Sequence, residues 1–141
     1  MLIDKILIAI DGSNSALHAT EYAIQLAKEV KAELEIIYVV RYAIGAVDAG
    51  ILPIDIEAHE KGNALDIINK IKVAHPNVKI NDFETIGYPT EEINKAIKNW
   101  KADLLVIGHH THSFIDKILM GSVENTLLHH IHIPVLVIPK T

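Results

Sequence analysis

Short apolar runs alternate along the chain with segments in which apolar residues recur every three to four positions. Runs rich in β-branched residues are typical of buried strands. Five such runs predict strands, and they span Lys5–Ile10, Leu34–Val40, Val78–Ile86, Asp103–Ile107 and Pro134–Pro139. The second run is apolar almost throughout, which is typical of a strand covered on both faces in a parallel sheet.

Four amphipathic helices are predicted between these strands, because a helix packed on a sheet needs an apolar stripe. The apolar positions run from Ala16 to Val30, from Ala64 to Ile71, from Ile93 to Trp100, and through Val123, Leu127 and Ile131. Pro89 suits the first turn of the third helix, and His75-Pro76 ends the second. Residues 41–56 contain glycine and proline without a clear period, which predicts an irregular segment.

Strands that alternate with helices predict an α/β fold with right-handed crossovers. We expect a single doubly wound, five-stranded parallel sheet flanked by four helices, a Rossmann-like arrangement. The 141 residues match the length of one domain, and the sequence has no internal repeat or linker. One domain over residues 1–141 is therefore predicted.

Charge and composition exclude several classes of protein. The chain has 13 Lys+Arg and 18 Asp+Glu, a formal charge of −5 without a basic stripe, which argues against nucleic-acid binding. No apolar run approaches the roughly 18 residues that span a bilayer, so no membrane association is expected. The charges of Asp4 and Lys5 argue against a signal peptide. The absence of cysteine suits a reducing compartment, so we expect a cytoplasmic protein.

Ligands of doubly wound sheets bind beyond the carboxyl ends of the strands, where the strand order reverses. If strand one lies beside strand four, the loops at residues 11–15 and 108–122 flank this crevice. Asp11-Gly12-Ser13 alone is weak evidence, since these residues also make ordinary turns and caps. Gly121-Ser122 at a predicted helix start fits a phosphate site and an ordinary cap about equally well.

Two stretches of the chain resemble the universal stress protein family, and the resemblance covers nearly the whole sequence. Lys5 to Ser13 looks like the first strand of that family, and Leu104 to Gly108 with Ile118 to Val123 looks like its C-terminal half. The resemblance implies an adenine nucleotide alpha hydrolase-like fold and binding of ATP or AMP. In the nucleotide-binding branch, two spaced glycines precede a Gly-Ser or Gly-Thr pair, and Gly108 and Gly121-Ser122 match that pattern.

The resemblance also implies which residues line the nucleotide site. Asp11 would meet the ribose or adenine, and Ala9 and Val39 would line the base pocket. The full set implied by the resemblance is Ala9, Ile10, Asp11, Val39, Ile107, Gly108, His110, Thr111, Gly121, Ser122, Val123 and Glu124. Of these, Gly121, Ser122 and Val123 would hold the phosphates.

Two positions depart from the family pattern, both at the phosphate end. Thr111 stands where the second glycine is expected, and Glu124 stands where a small hydroxyl residue is common. A carboxylate and a phosphate charge about 4 Å apart repel by roughly 4 kcal/mol at an effective dielectric near 20. This favours AMP or ADP over ATP. Glu124 alternatively stabilises a helix N-terminus, or holds Mg²⁺ or Mn²⁺ that bridges to phosphate.

The nine histidines include two clusters, at residues 109–112 and 129–132. Imidazoles bind metals, and they also titrate between pH 5 and 8. Adjacent histidines diverge on a regular element, so a metal site is the less favoured interpretation. His109 or His112 together with Glu124 is the best candidate geometry, and the metal ligands stay open.

Two functional hypotheses follow. The first is a dimeric regulatory module that binds an adenine nucleotide, and the alternative is a dimeric interaction module that binds none because Thr111 and Glu124 alter the pocket. The sequence has no nucleophile elbow and no Walker lysine, so we expect binding with at most slow ATP hydrolysis and no catalytic residue. Both hypotheses include a homodimer through the C-terminal strand, whose apolar edge would otherwise favour aggregation.

Overall fold

Five strands and three helices alternate in the parts of the chain that the computed structural model describes, residues 2–11, 14–41, 53–108 and 130–139. The elements are β1 (Lys5–Ile10), α1 (Asn14–Val30), β2 (Glu33–Arg41), α2 (Pro53–Ala74), β3 (Ile80–Gly87), α3 (Pro89–Trp100), β4 (Leu104–Gly108) and β5 (Val135–Ile138). All five predicted strands are confirmed; β1 has the predicted ends, and the ends of the other four differ by one or two residues.

The strands form one parallel sheet in the order β3-β2-β1-β4-β5. The chain builds outward from β1 through β2 to β3, and then returns to place β4 on the other side of β1. The predicted position of β1 beside β4 is confirmed, as is the doubly wound α/β class. The strand order therefore reverses between β1 and β4.

Helices cover both faces of the sheet, and the side chains of each strand alternate between two cores. Ile6, Ile8 and Ile10 of β1 pack with α1 and α2, whereas Leu7 and Ala9 pack with α3. This alternation follows from the two-residue period of a strand. Because both faces are covered, β1 and β4 are apolar and buried along almost their whole length.

The helix α1 lies close to the sheet because its buried stripe is built from small residues. Ala19 and Ala23 have no exposed surface, and Thr20 beside them donates its hydroxyl hydrogen to the Ala16 carbonyl oxygen at 2.8 Å. Tyr22, which lies within the same helix, is half exposed. It lies one position before Ala23, about 100° around the helix from the buried face.

The helix α2 begins earlier in the chain than the sequence pattern predicts. Residues 53–56 belong to α2, so the prediction that the irregular segment extends to Ile56 is wrong at this end. The helix begins at Pro53, where a proline lacks only an N–H group that a first helical turn leaves unpaired. Residues 42–52 and most of the predicted fourth helix lie outside the described residues. His130 is helical, whereas Ile131, which the prediction placed in this helix, is not. None of the helices among the described residues is long and apolar enough to cross a membrane.

Candidate functional site

The carboxyl ends of β1 and β4 lie side by side, and they form the edge of the sheet where a ligand crevice is expected. Ala9 is in register with Ile107, and Gly108, the last residue of β4, is in register with Ile138 of β5. Gly108 is buried at this end. The geometry therefore brings together two of the segments that the sequence assigned to the site, residues 9–11 and 107–108.

An apolar floor faces α3 at this edge. Ala9, Val39 and Ile107 are each at most 2% exposed and belong to one hydrophobic cluster. Ala9 stands between Ile37 and Ile107 in the register of the sheet, so a short side chain separates two long ones.

Ile10 does not share this floor. Its side chain is 1% exposed and packs in the opposite cluster, beneath α1 and α2. Consecutive strand residues point to opposite faces, so Ile10 reaches the crevice only through its backbone. The family resemblance placed Ile10 in the site, and the structure leaves only its backbone for that role.

Asp11 follows β1 directly and is held by a residue that the sequence interpretation missed. The hydroxyl group of Tyr38 donates a hydrogen bond to the backbone carbonyl oxygen of Asp11 at 3.2 Å. Burial raises the pKa of Tyr38, and the carboxylates of Glu60 and Asp11 raise it further. The hydroxyl is therefore kept as a donor. The available signal in the sequence was a single tyrosine within the apolar run at residues 36–40.

A carboxyl pair lies on the edge strand β3, next to this tyrosine. Asp82 and Glu84 are two residues apart on one face of the strand, and Lys72 of α2 forms a salt bridge with Asp82. Burial raises the pKa of Glu84 to about 7, and the hydrogen bond to Asp82 and the charge of Asp82 add to this rise. The hydrogen bond from Glu84 lowers the pKa of Asp82. Partial burial raises this pKa, whereas the hydrogen bond and the charge of Lys72 lower it further.

A groove elsewhere on the surface involves none of the predicted site residues. It has a volume of about 340 Å³ between the sheet and α3, and its lining includes Glu35, Phe83 and Trp100. Burial raises the pKa of Glu35, with a further rise from the charge of Asp82 and an opposing effect of Lys5.

The phosphate end of the predicted site lies outside the described residues. This applies to His110, Thr111, Gly121, Ser122, Val123 and Glu124, so their assignments stay predictions. Within the described ranges, no group of three or more metal-ligating side chains comes together. Of the two histidine clusters, the structure describes only His130, Ile131 and His132, and both of these imidazoles are exposed.

Known sequences of one protein family match this chain over almost its whole length. The sequence profile described as the universal stress protein family matches residues 2–139. The chain is 35% identical to the universal stress protein MJ0531 of Methanocaldococcus jannaschii, over 99% of this chain and 84% of the relative. It is 31% identical to the universal stress protein YxiE of Bacillus subtilis, over 97% of this chain and 99% of the relative.

Comparison with solved structures gives the same fold. The universal stress protein UspA of Lactobacillus plantarum superposes with a TM-score of 0.80 at 22% identity, covering 98% of this chain and 99% of the other. A universal stress protein in complex with cAMP has a TM-score of 0.62 at 24% identity, with 98% of each chain covered. The protein from Archaeoglobus fulgidus in complex with dAMP has a TM-score of 0.60 at 20% identity, covering 98% and 99%.

Proposed function

The chain belongs to the universal stress protein family, and from this premise we propose that it binds an adenine nucleotide, AMP or ATP, between β1 and β4 and acts as a dimeric regulatory module. The observation that carries the proposal is the reversal of strand order at this point, with an apolar floor and Asp11 at the same edge. Two proteins of the same fold form complexes with cAMP and dAMP, which supports an adenine nucleotide as the ligand.

The adenine and ribose end of the proposed site is built from described residues. Ala9, Val39 and Ile107 supply the apolar surface on which the base would lie. The carboxylate of Asp11 would accept hydrogen bonds from the ribose hydroxyl groups, and charge-assisted bonds of this type are stronger than neutral ones. We expect this end of the site to favour a nucleoside whose ribose keeps a free hydroxyl group.

The phosphate end is proposed from the sequence alone. Gly121, Ser122 and Val123 would bring backbone N–H groups and a hydroxyl group to the phosphates. Glu124 would repel a triphosphate more than a monophosphate unless Mg²⁺ or Mn²⁺ lies between them. We therefore propose AMP as the preferred ligand without metal, and ATP as a ligand that needs the cation.

Dimerisation through β5 is the second part of the proposal. This strand lies at one edge of the sheet and pairs with β4 on one side. Val137 on it is 38% exposed, and an apolar strand edge is a template for pairing with a second copy. The absence of cysteine from the sequence suits the cytoplasm, which we propose as the compartment.

The test begins with freshly purified protein, denatured without added ligand, and mass spectrometry of the released nucleotide and metal. We then expect Gly121→Asp to weaken AMP binding at least a hundredfold in calorimetric titration, because it adds a carboxylate beside the phosphate. Gly62→Asp is the matched control, since Gly62 is exposed on α2 with open space around it. In the same titrations, Glu124→Ser should tighten ATP more than AMP in the absence of metal.

The second candidate is a dimeric interaction module of the same family that binds no nucleotide. The observation that favours it is the pair of departures at Thr111 and Glu124. It predicts protein free of nucleotide after purification, and no heat of binding with AMP, ATP or ATP with Mg²⁺. That outcome for the native sequence would overturn the nucleotide-binding proposal.

A further inference from the structure

The groove beside α3 exists because the two faces of the sheet are covered unequally near the edge strand β3. Among the described residues, α1 and α2 together pack on one face of β1, β2 and β3, whereas α3 alone lies against β2 and β3 on the other face. Phe83 of β3 is left 45% exposed as a result. The strip of sheet between β3 and α3 forms the floor of this groove, which has a volume of about 340 Å³.

One side of α3 forms a wall of the groove. The lining residues of this helix recur at i, i+3, i+4, i+7 and i+8, which is the spacing of residues on one helix face. They are Glu92, Lys95, Ala96, Asn99 and Trp100. Eight residues of helix rise by about 12 Å. The groove is therefore long enough for a small organic molecule.

Two aromatic rings give the groove an apolar surface. Phe83 and Trp100 both line it, and Trp100 is the single tryptophan of the sequence. The ring of Trp100 already attracts one cation within the fold, since Nζ of Lys5 lies 5.4 Å from the ring centroid. The same Nζ donates a hydrogen bond to the backbone carbonyl oxygen of Trp100 at 3.1 Å. This surface therefore suits a ligand that is both apolar and positively charged.

Glu35 of β2 brings a carboxylate to the same groove. It forms neither a hydrogen bond nor an ion pair with any residue that the structure describes, and Lys5 acts on it only through its charge. The lysine on the wall, Lys95, is paired with Glu92 at 3.5 Å. A half-buried carboxylate gains most from a donor that carries a positive charge, because charge-assisted hydrogen bonds are the strong ones.

We propose that the groove between β3 and α3 binds an organic ammonium ion, a positively charged N–H group attached to an apolar body. The ammonium group donates to the carboxylate of Glu35, and the apolar body packs on Phe83 and Trp100. Glu35 repels an anion, and a bare metal ion leaves both aromatic rings uncovered. The groove contains no residue of the candidate nucleotide site, so the proposal holds whether or not the chain binds a nucleotide.

The first test follows the fluorescence of Trp100 in the full native chain without nucleotide. We expect cyclohexylammonium, which is charged at neutral pH, to change the emission saturably with a Kd on the order of 1 mM. Cyclohexanol has a similar ring without the charge, and methylammonium has the charge without the ring. Each should bind at least about tenfold more weakly at constant ionic strength. Equal affinity for cyclohexanol and cyclohexylammonium overturns the proposal.

The second test removes the two contacts separately. Glu35→Gln keeps the shape of the side chain and removes its charge, so it should weaken binding of cyclohexylammonium roughly tenfold. Phe83→Ser should weaken it roughly fivefold through lost apolar contact. The matched controls are Glu33→Gln, exposed on the same strand outside the groove, and Tyr22→Ser, exposed on α1. Native affinity in Glu35→Gln, or an equal loss in Glu33→Gln, overturns the proposal.

Backbone amide NMR locates the bound cation independently of fluorescence. Addition of cyclohexylammonium should shift the amide signals of Phe83 and Trp100 and leave those of Asp11 and Gly108 unchanged. Absence of a saturable shift at Phe83 and Trp100 overturns the proposal. Failure of the chain to bind AMP or ATP does not alter this result, so the two proposals can fail separately.

Discussion

At the scale of single residues, burial and neighbouring charges shift the pKa of an ordinary side chain. Glu84 and Glu91 are both glutamates in the sequence, but only Glu84 lies beside a second carboxyl group on a partly covered strand. Desolvation disfavours the charged form, and the charge of Asp82 adds to this effect. Burial and the neighbouring carboxylate therefore favour the protonated form of Glu84.

The stability of the fold should depend on this carboxyl group. The pKa of Glu84 is raised to about 7 in the folded chain, so between pH 4.5 and 7 the folded state binds more protons than the unfolded state. The contribution of Glu84 to the free energy of unfolding is complete below pH 4.5, and it is lost as the pH rises to 7. Glu84→Gln should gain stability over the native protein between pH 5 and pH 8, on the order of 1 kcal/mol after solvent screening.

Urea denaturation of both proteins at pH 5, 6.5 and 8 measures this difference. The Glu91→Gln variant serves as the control, because its side chain is exposed on α3. A difference between Glu84→Gln and the native protein that is the same at all three pH values would contradict the assignment of the raised pKa.

At the scale of elements, α3 shows how a helix follows from its own sequence. It begins with Pro89, has Glu91 and Glu92 in the first turn and Lys98 in the last, and buries Ile93, Ala96 and Ile97. Acidic residues at the start and basic residues at the end both complement the helix dipole. One feature is unfavourable, since Lys101 ends the helix in the left-handed region with a φ of 60°.

This end of α3 offers a matched pair of substitutions. Lys101→Gly should stabilise the fold by about 0.5–1 kcal/mol, because glycine adopts a positive φ without the cost of a Cβ. Lys98→Gly, in the last helical turn, should destabilise it by about 1 kcal/mol through lower helix propensity. Denaturation followed by the fluorescence of Trp100 measures both. A loss of stability in Lys101→Gly as large as that in Lys98→Gly would be inconsistent with the left-handed cap.

At the scale of the whole molecule, the order of the strands creates both the crevice and the two edges. The reversal between β1 and β4 places Ala9 and Ile107 together, although they are far apart in sequence. The outward growth of the sheet leaves β3 and β5 as edge strands. β3 carries the acidic residues Asp82 and Glu84, and charge at an edge opposes pairing, whereas β5 is apolar.

The proposed dimer can be tested at the β5 edge. Val137→Lys should convert a dimer to a monomer in analytical ultracentrifugation, since an exposed lysine on an edge strand opposes pairing. Val73→Lys is the matched control, because Val73 is 80% exposed on α2, away from β5. A native protein that sediments as a monomer, or a Val137→Lys variant that remains dimeric, would refute pairing through this strand.

The sequence by itself determined the order and type of the elements, because the periods of strands and helices are written in neighbouring residues. It also determined the family, through the segments at Lys5 to Ser13 and Leu104 to Val123. It placed the end of the irregular segment wrongly, since a proline is compatible with both a loop and a first helical turn.

Only the tertiary structure decided which side chains from different elements meet. The bond from Tyr38 to Asp11 and the cluster of Lys72, Asp82 and Glu84 depend on strand register and on the packing of α2. Ile10 faces away from Ala9, Val39 and Ile107 because adjacent strand residues point to opposite faces. Register, burial and the resulting pKa shifts depend on contacts between distant parts of the chain, so local patterns do not contain them.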